Sequence, residues 1–207
     1  MDLRVDPQAD RDLSGPRPPA LAGPETKGPR PTGQPFALLG FELRRVARPN
    51  TKIVGDIAEV VLNRCVLATV EVLTGGGAEI DVAGTANRPV VEGRFEGQDS
   101  AHRAARAAVE VVAAVRKAQR AAENEFQVAG ALTVGSAATA PNGALVVTGG
   151  GETLMARLRE RAAPGQILLS EEAREATREV AESIPARTAG PSGDAEPAPA
   201  FVLRGLK

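Results

Sequence analysis

The sequence predicts an α/β fold, with a mixed or antiparallel sheet and helices packed on it. Two observations lead there. Short apolar runs of strand length interleave with longer segments whose apolar residues recur at helical spacing. Neighbouring strand-like runs separated by turn sequences read as hairpins, which a purely parallel sheet cannot contain. At 207 residues with 43% hydrophobic content, the chain can bury the core of one average domain and still carry a tail.

The elements follow in order. Residues 1–34 are rich in Pro and Gly, poor in β-branched residues and without periodicity. Such a stretch cannot bury enough surface to offset its ordering entropy, so it reads as a disordered tail ahead of a domain over 35–207. Its PRPP and GPRP pieces have the composition of ligands for proline-binding domains, but a plain tail accounts for them. FALLGFEL (36–43) has the length of a strand. The segment 53–77 carries Ile57, Val60, Val61, Val66, Val70 and Leu73 at helical spacing and stops at a glycine run. AEIDVAG (78–84) and NRPVVEGRF (87–95) read as paired strands. The segment 99–122 is a helix with Asp99 or Ser100 as N-cap. Residues 126–139 and 143–149 are strand-like around a Pro-Asn-Gly turn. A helix begins near Glu152, a strand occupies 166–170, and EEAREATREVAE (171–182) is a second helix. A long loop (185–200) leads to a last strand, AFVLRGL.

Composition excludes several functions. Aromatic content is 2%, so a stacking platform for single-stranded nucleic acid is absent, and the core is expected to consist of Val, Leu, Ile and Ala. Twenty-five basic and 26 acidic residues balance, which argues against general attraction to nucleic acid or anionic membrane. A solitary cysteine, Cys65, excludes an internal disulfide and reads as a buried structural thiol. A single His102, at what reads as a solvated helix start, cannot build a histidine metal site. No apolar run reaches the ~18 residues needed to span a membrane, and no signal-peptide core opens the sequence. The expectation is a cytoplasmic protein.

The most specific stretch is TGGGETLMARLRERAAPGQILLSEEA (148–173). It resembles, without a gap, the "tG-Asp-x-x-Asn-x-x-Ala-Arg-Leu" segment of the class III adenylate and guanylate cyclase catalytic domains, followed by their "Ala-x-Pro-Gly-Gln-Ile" and Ser-capped helix. GGGAEIDVAG (75–84) resembles the family's "hGG-x-x-x-Lys-x-x-Gly-Asp". FALLGFELRRVA resembles its "Val-Leu-Phe-x-Asp-Ile-x-x-Phe", and FVLRGL its closing strand. The resemblance implies a ferredoxin-like βαββαβ core that pairs head to tail, with active sites at the dimer interface. It implies chemistry in which two aspartates hold two divalent cations, Mg²⁺ or Mn²⁺. An Asn and an Arg on one helix then steady the ribose and the charge on the phosphate of ATP or GTP.

Carried over residue by residue, the resemblance implies a degenerate site. The two metal aspartates fall on Glu42 and Thr85. The base-reading Lys falls on Asp81, a reversal of charge, and the second base-reading residue falls on Gly150. The catalytic Asn falls on Thr153, and only the Arg survives, as Arg157. Glu92, the first carboxylate after Thr85 in sequence, belongs to the next strand and is expected not to reach. Gly149, Gly150 and Gly151 lie where a helix N-terminus could face a phosphate. No Lys-Ser or Lys-Thr follows them, so they are not a P-loop and read as a loose turn. The implied function is a pseudoenzyme without a cofactor, associating in intracellular signalling as a homodimer or as a heterodimer with a related cyclase domain. The glycine-rich hairpin near Gly75–Gly77 would meet the partner. The alternatives are a weakly active cyclase using Mg²⁺ or Mn²⁺, and a nucleotide sensor without turnover.

Overall fold

A computed structural model describes residues 33–46, 55–119, 126–139, 145–149, 151–186 and 199–207. The expected tail lies outside these residues but for 33 and 34, as do the Pro-Asn-Gly turn, most of the loop 185–200, and Gly150. Among the described residues the order is β1 (Gln34–Arg45), α1 (Gly55–Gly75), β2 (Glu79–Thr85), β3 (Arg88–Glu96), α2 (Ser100–Ala118) and β4 (Phe126–Thr139). Then come β5 (Leu145–Gly149), α3 (Glu152–Arg161), β6 (Ile167–Leu169), α4 (Glu171–Thr177), β7 (Ala181–Pro185) and β8 (Phe201–Leu206). The strands form one sheet in the order β2-β3-β1-β4-β6-β8-β7, with β5 paired to β4. β1 is antiparallel to both β3 and β4, which gives the first six elements the ferredoxin-like βαββαβ arrangement. Among the described strands only β4 and β6 pair in parallel, across the α3 connection.

Alternation along β1 divides the molecule into two faces. Ala37, Leu39, Phe41 and Leu43 point into a cluster with α1, α2 and α4, whereas Leu38 points to α3 with Met155 and Leu158. α2 presents Ala101, Ala104, Ala105, Ala107 and Ala108 as a buried stripe. Small residues on its partner α1, Ala58, Cys65 and Thr69, are buried too, and the two helices pack closely. The expected inner face of α1 is corrected in part: Val61 and Leu73 are buried and Val66 and Val70 pack against the core, but Ile57 is 56% and Val60 51% exposed. Phe36, Phe41, Phe95 and Phe126 are buried, so the core is not aliphatic alone.

The helix expected over 171–182 ends at Thr177, and its last residues instead form β7 on the edge beside β8. That strand is chosen by its partner rather than by local propensity. Ser170 caps α4, accepting from Ala173 N at 3.1 Å. His102 is not merely solvated, since its Nε2 lies 3.1 Å from Ala176 O in α4. The glycines near Gly75–Gly77 form the turn from α1 into β2, not a hairpin. Arg103 holds that turn by donating to Gly76 O at 3.1 Å and to Glu96 O.

Candidate functional site

The α3 face of the sheet is where charge is buried. Glu42, near the end of β1, is 5% exposed. Arg44 follows two residues later and so shares its face of the strand. Its Nε and Nη2 donate to Glu42 Oε2 at 3.1 and 2.9 Å. The same guanidinium donates to Ala162 O at 2.7 Å and Arg159 O at 3.0 Å. Carbonyls at a helix end have no partner within the helix, so Arg44 both caps α3 and complements its dipole. Arg88 opens β3 beyond the β2–β3 turn. Its Nε and Nη2 each lie 2.5 Å from the other carboxylate oxygen, Oε1. Burial alone would raise the Glu42 pKa. Hydrogen bonds from Arg44 and Arg88, and then their charges, outweigh it and hold the carboxyl below its usual range.

A second pair lies beside the first. Arg159 on α3 binds Glu92, which sits opposite Gly40 in the β1–β3 register. A Cβ on Gly40 would stand 2.8 Å from Met155 Sδ and 3.1 Å from Arg159 Nη1. The missing side chain lets α3 lie against the sheet there. Beside the first turn of α3, Leu38, Asp81, Glu92, Arg94, Glu152 and Met155 line an open cleft of about 390 Å³. Glu92 shares the α3 face with Glu42 and faces this cleft, but it stands opposite Asp81, whereas Thr85 stands opposite Arg88 four residues away along β3.

The carried-over positions divide into two groups. Glu42 is buried in its ion pairs, and Thr85 is exposed at the end of β2, directly opposite Arg88. The Arg88 guanidinium binds Glu42, while Thr85 meets Arg88 in the strand register. Asp81 is exposed on β2 opposite Glu92 and lines the cleft. Thr153 and Arg157 lie together on the outer, exposed face of α3, whose inner face carries Met155 and Leu158. Gly149 ends β5 with φ of 90°, and a Cβ there would stand 2.9 Å from Val134 O. Backbone geometry alone demands this glycine. Gly151 is the N-cap of α3 with open space around it, and Gly150 lies outside the described residues.

These donors do not fit a two-cation centre. Thr85 is neutral, and Glu42 is engaged on both oxygens by arginines. Among the described residues, no three His, Cys, Asp or Glu side chains come together around one ion. Residue-by-residue reading of the sequence missed Arg44, Arg88 and Arg159. Glu-x-Arg in a strand could have revealed the first, since period 2 puts both on one side. Arg88 and Arg159 carry no local signal.

Comparison with known proteins agrees with this frame. No known family profile and no curated protein sequence matches the chain. Solved structures do. The guanylyl cyclase Cya2 is 21% identical with a TM-score of 0.61, over 84% of this chain and 95% of that one. The adenylyl cyclase CyaB from P. aeruginosa is 16% identical with a TM-score of 0.56, over 84% and 95%. A non-canonical dimeric form of the guanylyl cyclase domain of the RhoGC fusion protein from Blastocladiella emersonii is 14% identical with a TM-score of 0.57, over 83% and 97%. The chain has the fold of the class III adenylate and guanylate cyclase catalytic domains.

Proposed function

We propose that this domain is a catalytically degenerate member of the nucleotide-cyclase fold that acts by association. Glu42 carries the reading. It is the carboxylate the resemblance assigns to a metal, and two arginines of its own chain neutralise it. A divalent cation would have to displace both guanidinium groups from a buried carboxylate while gaining only a hydroxyl at Thr85. Losing a cation's charge at a reacting phosphate removes several kcal/mol of transition-state stabilisation, a loss of many hundredfold in rate. The cleft also repels its expected ligand. Asp81, Glu92 and Glu152 line it against Arg94, an acidic balance unsuited to a triphosphate. Packing and catalysis have separable needs, so a domain can keep its apolar surfaces without its charged ligands. The partner is a second copy or a related cyclase domain. The RhoGC domain similar in fold is described both as a non-canonical dimer and as a monomer, so pairing is open to this fold. No helix among the described residues is long and apolar enough to cross a membrane, in keeping with a cytoplasmic role.

A residual cyclase is the second reading, favoured by one observation. Thr153 and Arg157 stand one turn apart on an exposed helix face, as a site completed by another subunit would need. One assay separates the two. Purified protein with ATP or GTP and Mg²⁺ or Mn²⁺ should form no cyclic nucleotide above buffer. Product that scales with protein and vanishes in Arg157→Ala would establish the second reading instead.

A further inference from the structure

The sheet has two outer strands in its main path, β2 and β7, and they end it differently. The β7–β8 register shifts between Glu182 and Ser183, where Arg204 of β8 is the extra residue, and β7 closes on Pro185. Bulges and prolines are the usual devices that stop an edge from recruiting another strand. β2 has neither. It runs for seven residues, EIDVAGT, with β3 as its neighbour among the described residues. All but Ile80 are exposed, and Val82 is 52% exposed.

The β2–β3 turn fixes which backbone groups are free. Thr85 and Arg88 flank a two-residue loop, Ala86–Asn87. In such a hairpin the flanking residues exchange hydrogen bonds, and bonding then alternates along the strand. Glu79, Asp81, Ala83 and Thr85 therefore bond inward to β3. Val82 and Ile80 turn their N–H and C=O groups outward.

We infer that β2 is a self-pairing edge, where two copies of this chain join their sheets antiparallel about a two-fold axis at Val82. Register decides this choice of occupant. Centred on Val82, the whole strand overlaps. Val82 faces Val82 of the second copy, Ile80 faces Gly84, Asp81 faces Ala83, and Glu79 faces Thr85. No carboxylate meets a carboxylate, and the outward main-chain groups of Val82 meet their own equivalents. Shifting the centre to Asp81 puts two aspartates directly opposite in the closely spaced, non-hydrogen-bonded position, which is unfavourable. The strand is thus self-complementary in its full-length register, as a two-fold interface requires. This pairing rests on the associating role proposed above and assigns it a surface.

The test uses the full chain and two variants. Light scattering after size exclusion, at tens of micromolar with EDTA present, should show a dimer. Val82→Lys sets two ammonium groups face to face and should weaken the dimer by about a hundredfold, with an unchanged far-ultraviolet dichroism spectrum. Val82→Cys places two thiols at a Cα separation of about 5.5 Å, within disulfide range, and should cross-link under mild oxidant. The parent chain should not, because Cys65 is buried and burial pushes its thiol up to about 11. A parent dimer that persists in Val82→Lys, together with no cross-link in Val82→Cys, overturns edge pairing and leaves the associating role intact. A parent chain that is monomeric alone but binds the added catalytic domain of an active class III cyclase has the same meaning. A chain monomeric in both settings overturns the two together.

Discussion

The two faces of the sheet are held by different forces. On the α1–α2 face, Leu39, Phe41, Leu43, Val91 and Phe95 meet Ala104, Ala105, Ala108 and Val111 in a dry cluster. Across the sheet, the ten-residue α3 brings Met155 and Leu158, and among them Glu42, Arg44, Arg88, Glu92 and Arg159 satisfy one another. The first face is a matter of area and shape, in which any side chain of similar size would serve. The second depends on completeness, since removing one member leaves the others charged and unpaired in a half-buried place. The contrast teaches that Glu42 and Glu92, through Arg44 and Arg159, fasten α3 to the sheet.

The dry face should break hardest. Phe41→Ala empties the centre of the core and should cost about 3–5 kcal/mol in urea unfolding. Glu42→Ala strands Arg44 beside the end of α3 and should cost about 3 kcal/mol. A loss as small as that of a surface mutation would show that α3 is held by apolar contacts alone. Arg88→Ala should cost about 1 kcal/mol or less, because its side chain is 65% exposed and water takes up much of the lost interaction.

The charged face alone should sense acid through Glu42. Its folded pKa lies below the unfolded value near 4.5, so in that window the unfolded chain binds more protons. The contribution is complete above 4.5 and is lost as pH falls through the folded value. The stability difference between the parent chain and Glu42→Gln should therefore shrink steadily below about pH 4.5, and a constant difference would deny the ion pairs their role. Smallest of all, Arg157→Ala should leave stability unchanged within about 0.5 kcal/mol, since Arg157 is exposed and has no partner among the described residues.

The same contrast explains what could be read from the sequence. Alternation in FALLGFEL and the alanine-rich spacing of α2 specify the dry face, because each records a periodic demand on one element. Gly165 and Ser170 likewise mark the turn before β6 and the cap of α4 by local chemistry. β7 was not legible, since AESIP becomes a strand only beside β8. Nor was the fate of Glu42. Its position was visible, but its partner Arg88 arrives through strand pairing 46 residues away. The cap that Arg44 provides to α3 spans 118 residues. Charge pairing of this range leaves no periodic trace.

Under the proposed function, arginines occupy the place a cation would take on Glu42. Titrating Mn²⁺ into the full chain, followed by the electron spin resonance of the free ion, addresses it directly. An undiminished free-ion signal is expected at equimolar micromolar protein, identical for the parent chain and Glu42→Gln. Stoichiometric loss of signal that is abolished in Glu42→Gln would contradict the claim.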